Sequence, residues 1–103
     1  MDIVELQDLY ASQDVEWTIH AAWRLLQRGI SSKDIEEVLI TGEVIEYYLN
    51  DYPFPSCLVL GTMLNKKTLH LVCAIGENKL WIITAYEPTL KEWEAGFKVR
   101  RRA

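Results

Sequence analysis

Four runs decide the fold of this chain: EVIEYYL (43–49), SCLVLGTML (56–64), TLHLVCAI (68–75) and KLWIITAY (79–86). Each is rich in β-branched and aromatic residues, short enough for a strand, and bounded by turn signals. NDYPFP (50–55) joins the first two, and Pro53 and Pro55 have no N–H to give a ladder. Asn65-Lys66-Lys67 and Gly76-Glu77-Asn78 read as hairpin connections. Upstream of Glu43 the apolar spacing is helical. Residues 2–11 carry Ile3, Leu6, Leu9 and Tyr10 as a short amphipathic helix or arm. Ser12 or Asp14 is the expected cap of a helix over 14–28, burying Val15, Ile19, Ala22 and Leu26 with Trp23 and Leu25 at the flanks. Gly29 stands where a left-handed residue ends a helix. Ser31 and Asp34 form a capping-box pattern for a helix over 32–41, with Ile35, Val38 and Leu39 inward and Gly42 closing it in the same left-handed way. Thr89 and Glu92 suggest a last short helix carrying Trp93 and Phe97 as an i,i+4 pair.

Helices first and a strand meander second predict an α+β fold: two N-terminal helices on one face of a four-stranded, mostly antiparallel sheet, with a short C-terminal helix. The 103 residues form one expected domain, with 1–12 an N-terminal arm and 98–103 a basic, solvated tail. The last two strands are apolar on both faces. Leu69, Leu71 and Cys73 oppose Val72 and Ala74, and Leu80 and Ile82 oppose Trp81 and Ile83. The second face therefore needs cover from the arm, the C-terminal helix or a partner, and part of it is an expected interaction surface.

Half of the residues are hydrophobic and a quarter charged, which excludes a disordered chain. There is no apolar run of about 18 residues, and MDIVELQDLY is acidic without an apolar leader; cytoplasmic residence and no membrane contact are expected. Cys57 and Cys73 lie in separate strands without a CxxC motif, so two buried free thiols, no metal site and no cofactor are expected. The net charge of −4 is the wrong sign for a generic nucleic-acid binder. Residues 1–52 hold 11 acids and 3 bases, whereas residues 53–103 hold 4 acids and 8 bases. P-loop, GxGxxG, HExxH and GxSxG motifs are all absent, which removes several large enzyme classes.

Chemistry-bearing residues are few. His20, Arg24 and Arg28 recur at four-residue spacing and drift only about 80° around a helix, so they share one polar stripe. Two guanidiniums beside an imidazole suit a phosphate or other anion; as a plain helix surface, they favour the negative end of the helix dipole. His70 points opposite to Leu69 and Leu71 from its strand, and Tyr86 ends the last strand on the face of Ile82 and Thr84. The stiff loop Asp51–Ser56 is either a proline-braced connection or a binding lip, and Trp17, Trp23, Trp81 and Trp93 are core or interface residues.

HAAWRLLQRGIS (20–31), DYPFPSCLVLG (51–61), LHLVCAI (69–75) and LWIITAYEP (80–88), in this order and spacing, resemble the bacterial domain-of-unknown-function family 4258. That family is similar to the RelE-like and BrnT-like toxins of toxin–antitoxin pairs, often encoded beside an antitoxin with a YgiT-type zinc finger. The resemblance implies two helices followed by an antiparallel sheet. It also implies metal-independent RNA cleavage, in which a 2′-hydroxyl attacks the neighbouring phosphorus, aided by basic and aromatic residues on the sheet. Under it, His20 or His70 is the general base, Arg24 and Arg28 hold the phosphate, and Tyr86 protonates the leaving oxygen or stacks on a base. RNA and a zinc-finger antitoxin are the implied partners. The competing expectation is a non-catalytic interaction domain that pairs with a protein, or with itself as a homodimer, through the spare sheet face. A small-molecule anion site on the arginine pair is the third.

Overall fold

A computed structural model describes residues 1–102. The chain runs α1 (Ile3–Ala11), β1 (Val15–Trp17), α2 (Ile19–Gln27), α3 (Ser32–Thr41), β2 (Glu43–Tyr48), β3 (Ser56–Thr62), β4 (Thr68–Gly76) and β5 (Lys79–Tyr86). The strands form one sheet in the order β1-β5-β4-β3-β2, antiparallel except where β1 runs parallel to β5. The fold is α+β, as expected, with two differences in detail. There are five strands rather than four, and three helices precede the meander rather than two.

The third helix is the N-terminal segment expected as a helix or arm, and the fifth strand arises between residues 12 and 18. Gln13 adopts φ 63, which ends α1, and the Leu80 N–H donates to the Asp14 carbonyl at 2.8 Å, which lays Val15-Glu16-Trp17 alongside β5. The cap of α2 is then Thr18, whose hydroxyl accepts from the Ala21 N–H at 3.0 Å, rather than Ser12 or Asp14. Starting the helix four residues late resets its inward face. Ala21 and Leu25 are buried, while Ile19, Trp23 and Leu26 are 77%, 60% and 74% exposed. The expected buried stripe of Ile19, Ala22 and Leu26 therefore faces outward. Val15 packs against the core from a strand.

Downstream the local chemistry holds. Gly29 ends the α2 region at φ 68, and the Ser31–Asp34 capping box opens α3 with Ile35, Val38 and Leu39 buried. Gly42 does not close α3 in a left-handed conformation; its φ of −91 and ψ of 169 are extended and lead straight into β2. Glu77 and Asn78, both at positive φ, form the two-residue turn between β4 and β5.

The three helices share one face of the sheet, over a core of Leu6, Ala21, Leu25, Ile35, Val38, Leu39, Val59, Leu69, Leu71, Leu80 and Ile82. Cys57 and Cys73 face each other in this core as free thiols, Sγ to Sγ 3.9 Å. A bulge in β5 pairs Val72 with Thr84 but Cys73 with Ile82. Tyr86 and Thr84 thus share the helix-free face, and Ile82 belongs to the opposite one, a correction to the simple alternation expected of this strand.

The helix-free face is covered by the chain itself. Among the described residues no helix forms after Pro88. Gly96 and Phe97 sit at φ 89 and 60, and residues 89–101 lap over β2, β4 and β5, with Trp93 bridged to Arg100. Trp93 is 2% exposed. Arg100 and Arg101 are exposed but tethered to the fold: Arg100 pairs with Glu46, and Arg101 binds the Leu90 carbonyl and Glu94.

Candidate functional site

Register on the helix-free face brings together side chains far apart in sequence. His70 pairs with Tyr86 across β4 and β5, Leu60 flanks His70 on β3, and Glu46 and Tyr48 rise from β2. The C-terminal lap adds Trp93, Phe97 and Arg100 from above. The His70 ring lies edge-on to Trp93 at 4.4 Å and to Tyr86 at 5.3 Å between centroids, and the Arg100 guanidinium lies 4.6 Å from the Trp93 ring.

His70 is fully buried, and its hydrogen bonds fix its tautomer. Nε2 lies 2.8 Å from the Phe97 carbonyl, which can only accept, so Nε2 carries the proton. Nδ1 is then left to accept from the Tyr86 hydroxyl at 3.3 Å. Burial lowers the His70 pKa, against the opposing pull of the Phe97 carbonyl and Glu46. Burial also raises Tyr86, partly offset by Arg100. A neutral imidazole therefore stands behind a protonated phenol at neutral pH.

Arg100 grips Glu46 through Nε at 3.0 Å and Nη2 at 3.0 Å, a bidentate pair, and Tyr48 donates to the same carboxylate at 2.6 Å. Burial alone would raise Glu46, but the bonds from Arg100 and Tyr48 outweigh it and hold the carboxyl below its ordinary range. Burial and the Glu46 bond push Tyr48 up to about 12. Beside this network is an open hollow of about 270 Å³ lined by Tyr86, Glu87, Thr89, Glu92, Trp93 and Arg100. Among the described residues no three His, Cys, Asp or Glu side chains converge as metal ligands.

Of the residues singled out by sequence, the structure joins His70 to Tyr86. Arg28 reaches the same strand end from the helix side, its Nη1 donating to the Ala85 carbonyl at 2.6 Å. β1 pairs with β5 only through Ile82, so this bond caps a backbone edge that β1 leaves open. His20 and Arg24 are exposed on α2, across the sheet from His70, and hydrogen-bond neither His70 nor Tyr86. The helical stripe and the strand pair do not form one anion-sized hollow. Sequence reasoning missed Glu46, Tyr48 and Arg100. Glu46 and Tyr48 alternate along β2 and so share a face, but nothing local told which face, or that Arg100 would fold back onto it.

Fold and site define a small α+β protein with helices on one side of a mixed sheet and a polar, aromatic network on the other. The model of the family described as Domain of unknown function (DUF4258) matches residues 17–87, and the chain belongs to that family. The match holds Glu46, Tyr48, His70 and Tyr86; the lap bearing Trp93, Phe97 and Arg100 lies beyond it. No curated protein and no solved structure matches the chain. None of its helices is long and apolar enough to cross a membrane, among the described residues.

Proposed function

We propose that this protein is a metal-independent RNA-cleaving toxin whose reacting groups lie on the helix-free face, and that the His70–Tyr86 pair performs the proton transfer. The observation that carries this reading is the fixed tautomer of His70, whose Nδ1 accepts from the one phenol that borders the hollow. RNA lying in the hollow presents its 2′-hydroxyl to Tyr86. The phenol oxygen takes that proton as its own passes to His70 Nδ1, and the Phe97 carbonyl steadies the imidazolium formed. The 2′-oxygen bonds to phosphorus, the P–O5′ bond breaks, and the 5′-oxygen takes a proton from solvent water, whose hydroxide is neutralised as the His70 proton returns through Tyr86 to solvent. A 2′,3′-cyclic phosphate and a 5′-hydroxyl result. Arg100, 55% exposed in its side chain, is the cation nearest the hollow, and its positive charge offsets that of the phosphorane. In this reading Arg28 braces the strand end behind Tyr86.

Incubating the protein with end-labelled RNA in EDTA tests the reading. Cleavage is expected to leave cyclic phosphate ends, and Tyr86→Phe is expected to lower the rate about 10²–10⁴-fold, the usual share of a positioned proton-transfer group. The low pKa of His70 keeps activity on the acid side to a pH below the ordinary histidine range. Full activity in Tyr86→Phe overturns the relay.

A second reading, a non-catalytic interaction domain, is favoured by α2. Ile19, Trp23 and Leu26 make an exposed apolar strip, flanked on one side by His20, Arg24 and Arg28, and α2 contains no acid. Two copies packed antiparallel, strip to strip, would oppose cations to cations, and the occupant whose charge complements the cationic flank is an acidic amphipathic helix of another protein. On the toxin reading the same helix belongs to the antitoxin, and lying along α2 it reaches the Tyr86 end at Arg28. Trp23→Asp is expected to abolish capture of such a partner without unfolding the chain. Partner capture with no RNA turnover selects the second reading over the first.

A further inference from the structure

The helix-free face carries a second concavity, at the opposite end of the strands from Tyr86. It measures about 370 Å³, and its walls are the rings of Tyr52, Phe54 and Trp81, with the carboxylate-bearing Asp51 and Glu77 at its margin. Two of the rings are fixed. The Trp81 indole N–H donates to the Gly76 carbonyl at 2.9 Å, and Phe54 lies so close over Gly76 that any Cβ there would collide with its ring. The Phe54 and Trp81 centroids are 5.6 Å apart at 37°. Tyr52 stands free at the mouth, 96% exposed, at the tip of the proline-braced loop. The Asp51 carboxylate is held at 2.5 Å from the buried Ser56 hydroxyl, which pins the base of that loop.

The chemistry of this hollow is one-sided. No lysine or arginine lines it, and the indole N–H is already spent, so besides the Thr18 side chain and the apolar Pro53, Ala74 and Ile83 it offers π-faces and carboxylate oxygens. Ring faces are the negative side of an aromatic quadrupole. A nucleotide would bring phosphate toward two acids with no lining cation to offset them, unlike the Tyr86 hollow, where Arg100 stands beside Glu87 and Glu92. A cation with apolar substituents instead meets complementary groups on every wall. We propose that this pocket binds an alkylated ammonium group, either a free quaternary ammonium compound or a methylated lysine side chain of a protein partner. The proposal is independent of the RNA-cleavage reading, since the pocket shares no lining residue with the Tyr86 hollow.

The Trp81 indole signal in a ¹H–¹⁵N spectrum, assigned by its loss in Trp81→Phe, reports the pocket directly. Tetramethylammonium and choline are expected to shift it saturably, on the order of millimolar for such small ligands. The neutral isostere 3,3-dimethylbutanol is expected not to. Tyr52→Ala removes an exposed side chain and leaves the spectrum folded, and it is expected to weaken binding about three- to fivefold, the worth of one exposed cation–π wall. Glu77→Gln is expected to weaken it in the same sense. A trimethyllysine peptide distinguishes the two sources: binding tighter than choline assigns the pocket to a partner side chain, and weaker binding assigns it to a free ammonium compound. No shift with any cation, or equal binding of the neutral isostere, overturns the proposal.

Discussion

Trp93→Ala is expected to cost about 3–5 kcal/mol of unfolding free energy, the usual range for a buried aromatic cut back to a methyl. Trp93 is 2% exposed, and the segment that carries it has no regular secondary structure beyond the bridge to Arg100. Its hold on the sheet comes from a few contacts: the indole against His70, the Phe97 carbonyl on His70 Nε2, Arg100 over the indole and on Glu46, and Lys98 on Glu43. Deleting the ring leaves a void over His70 and removes the platform under Arg100. Water then reaches an imidazole that is fully buried in the native protein. Urea denaturation followed by far-UV circular dichroism measures the loss. Amide exchange should show β4 and β5 losing protection together with residues 93–101. An unchanged midpoint would mean that the lap contributes nothing to the cooperative unit, and the buried state of His70 would need another cause.

Gly61→Ala is expected to destabilise by about 1–3 kcal/mol, as overpacking of a tight contact does. Gly61 sits in β3 directly beneath α3, and a Cβ built there would run into the backbone carbonyl of Val38. Gly42, where α3 passes into β2, meets the same carbonyl. These two glycines let α3 lie against the sheet at backbone distance, which is how Val38 becomes fully buried. The obstacle is main chain within a regular helix, so no rotamer change relieves it and α3 as a whole must lift. Thermal unfolding of Gly61→Ala checks this, and a wild-type midpoint would show that α3 has room to shift.

How much of this was legible in the sequence follows from the range of the interactions involved. Some contacts three or four residues apart were read correctly, namely the Ser31–Asp34 box, Gly29 and the hairpin at Glu77-Asn78, whereas the Trp93–Phe97 pair and the left-handed stop at Gly42 were not, because packing on the sheet overrode them. So was the inward face of α3, because Ile35, Val38 and Leu39 stand in a helix whose start was read in the right place. The reading of α2 failed because Val15 has the same apolar character in a strand as in a helix. The bond that decides between them comes from Leu80, 66 positions along the chain. With the start misplaced, the remaining stripe turned inside out.

The site divides along the same line. His70 was legible as the odd polar residue in an apolar strand, and the strand alternation sent it away from the helices. Its partners were not legible, since the β5 bulge, the return of Arg100 and the Phe97 carbonyl all depend on tertiary packing. The four-residue spacing of His20, Arg24 and Arg28 was real, yet helical spacing places side chains on one stripe without saying what that stripe meets. Arg28 found a strand edge, while the other two are exposed on α2.

The parallel pairing of β1 with β5 sets an order of assembly. Val15, Glu16 and Trp17 find their ladder partners only at Leu80, Trp81 and Ile82. A ribosome adds about 5–20 residues each second, so during synthesis this first strand waits several seconds for its mate. Through that interval Val15–Trp17 have no strand edge to pair with. Closure of the sheet at β1 is therefore a late event in the birth of the molecule, reached only after the β-hairpins have been made.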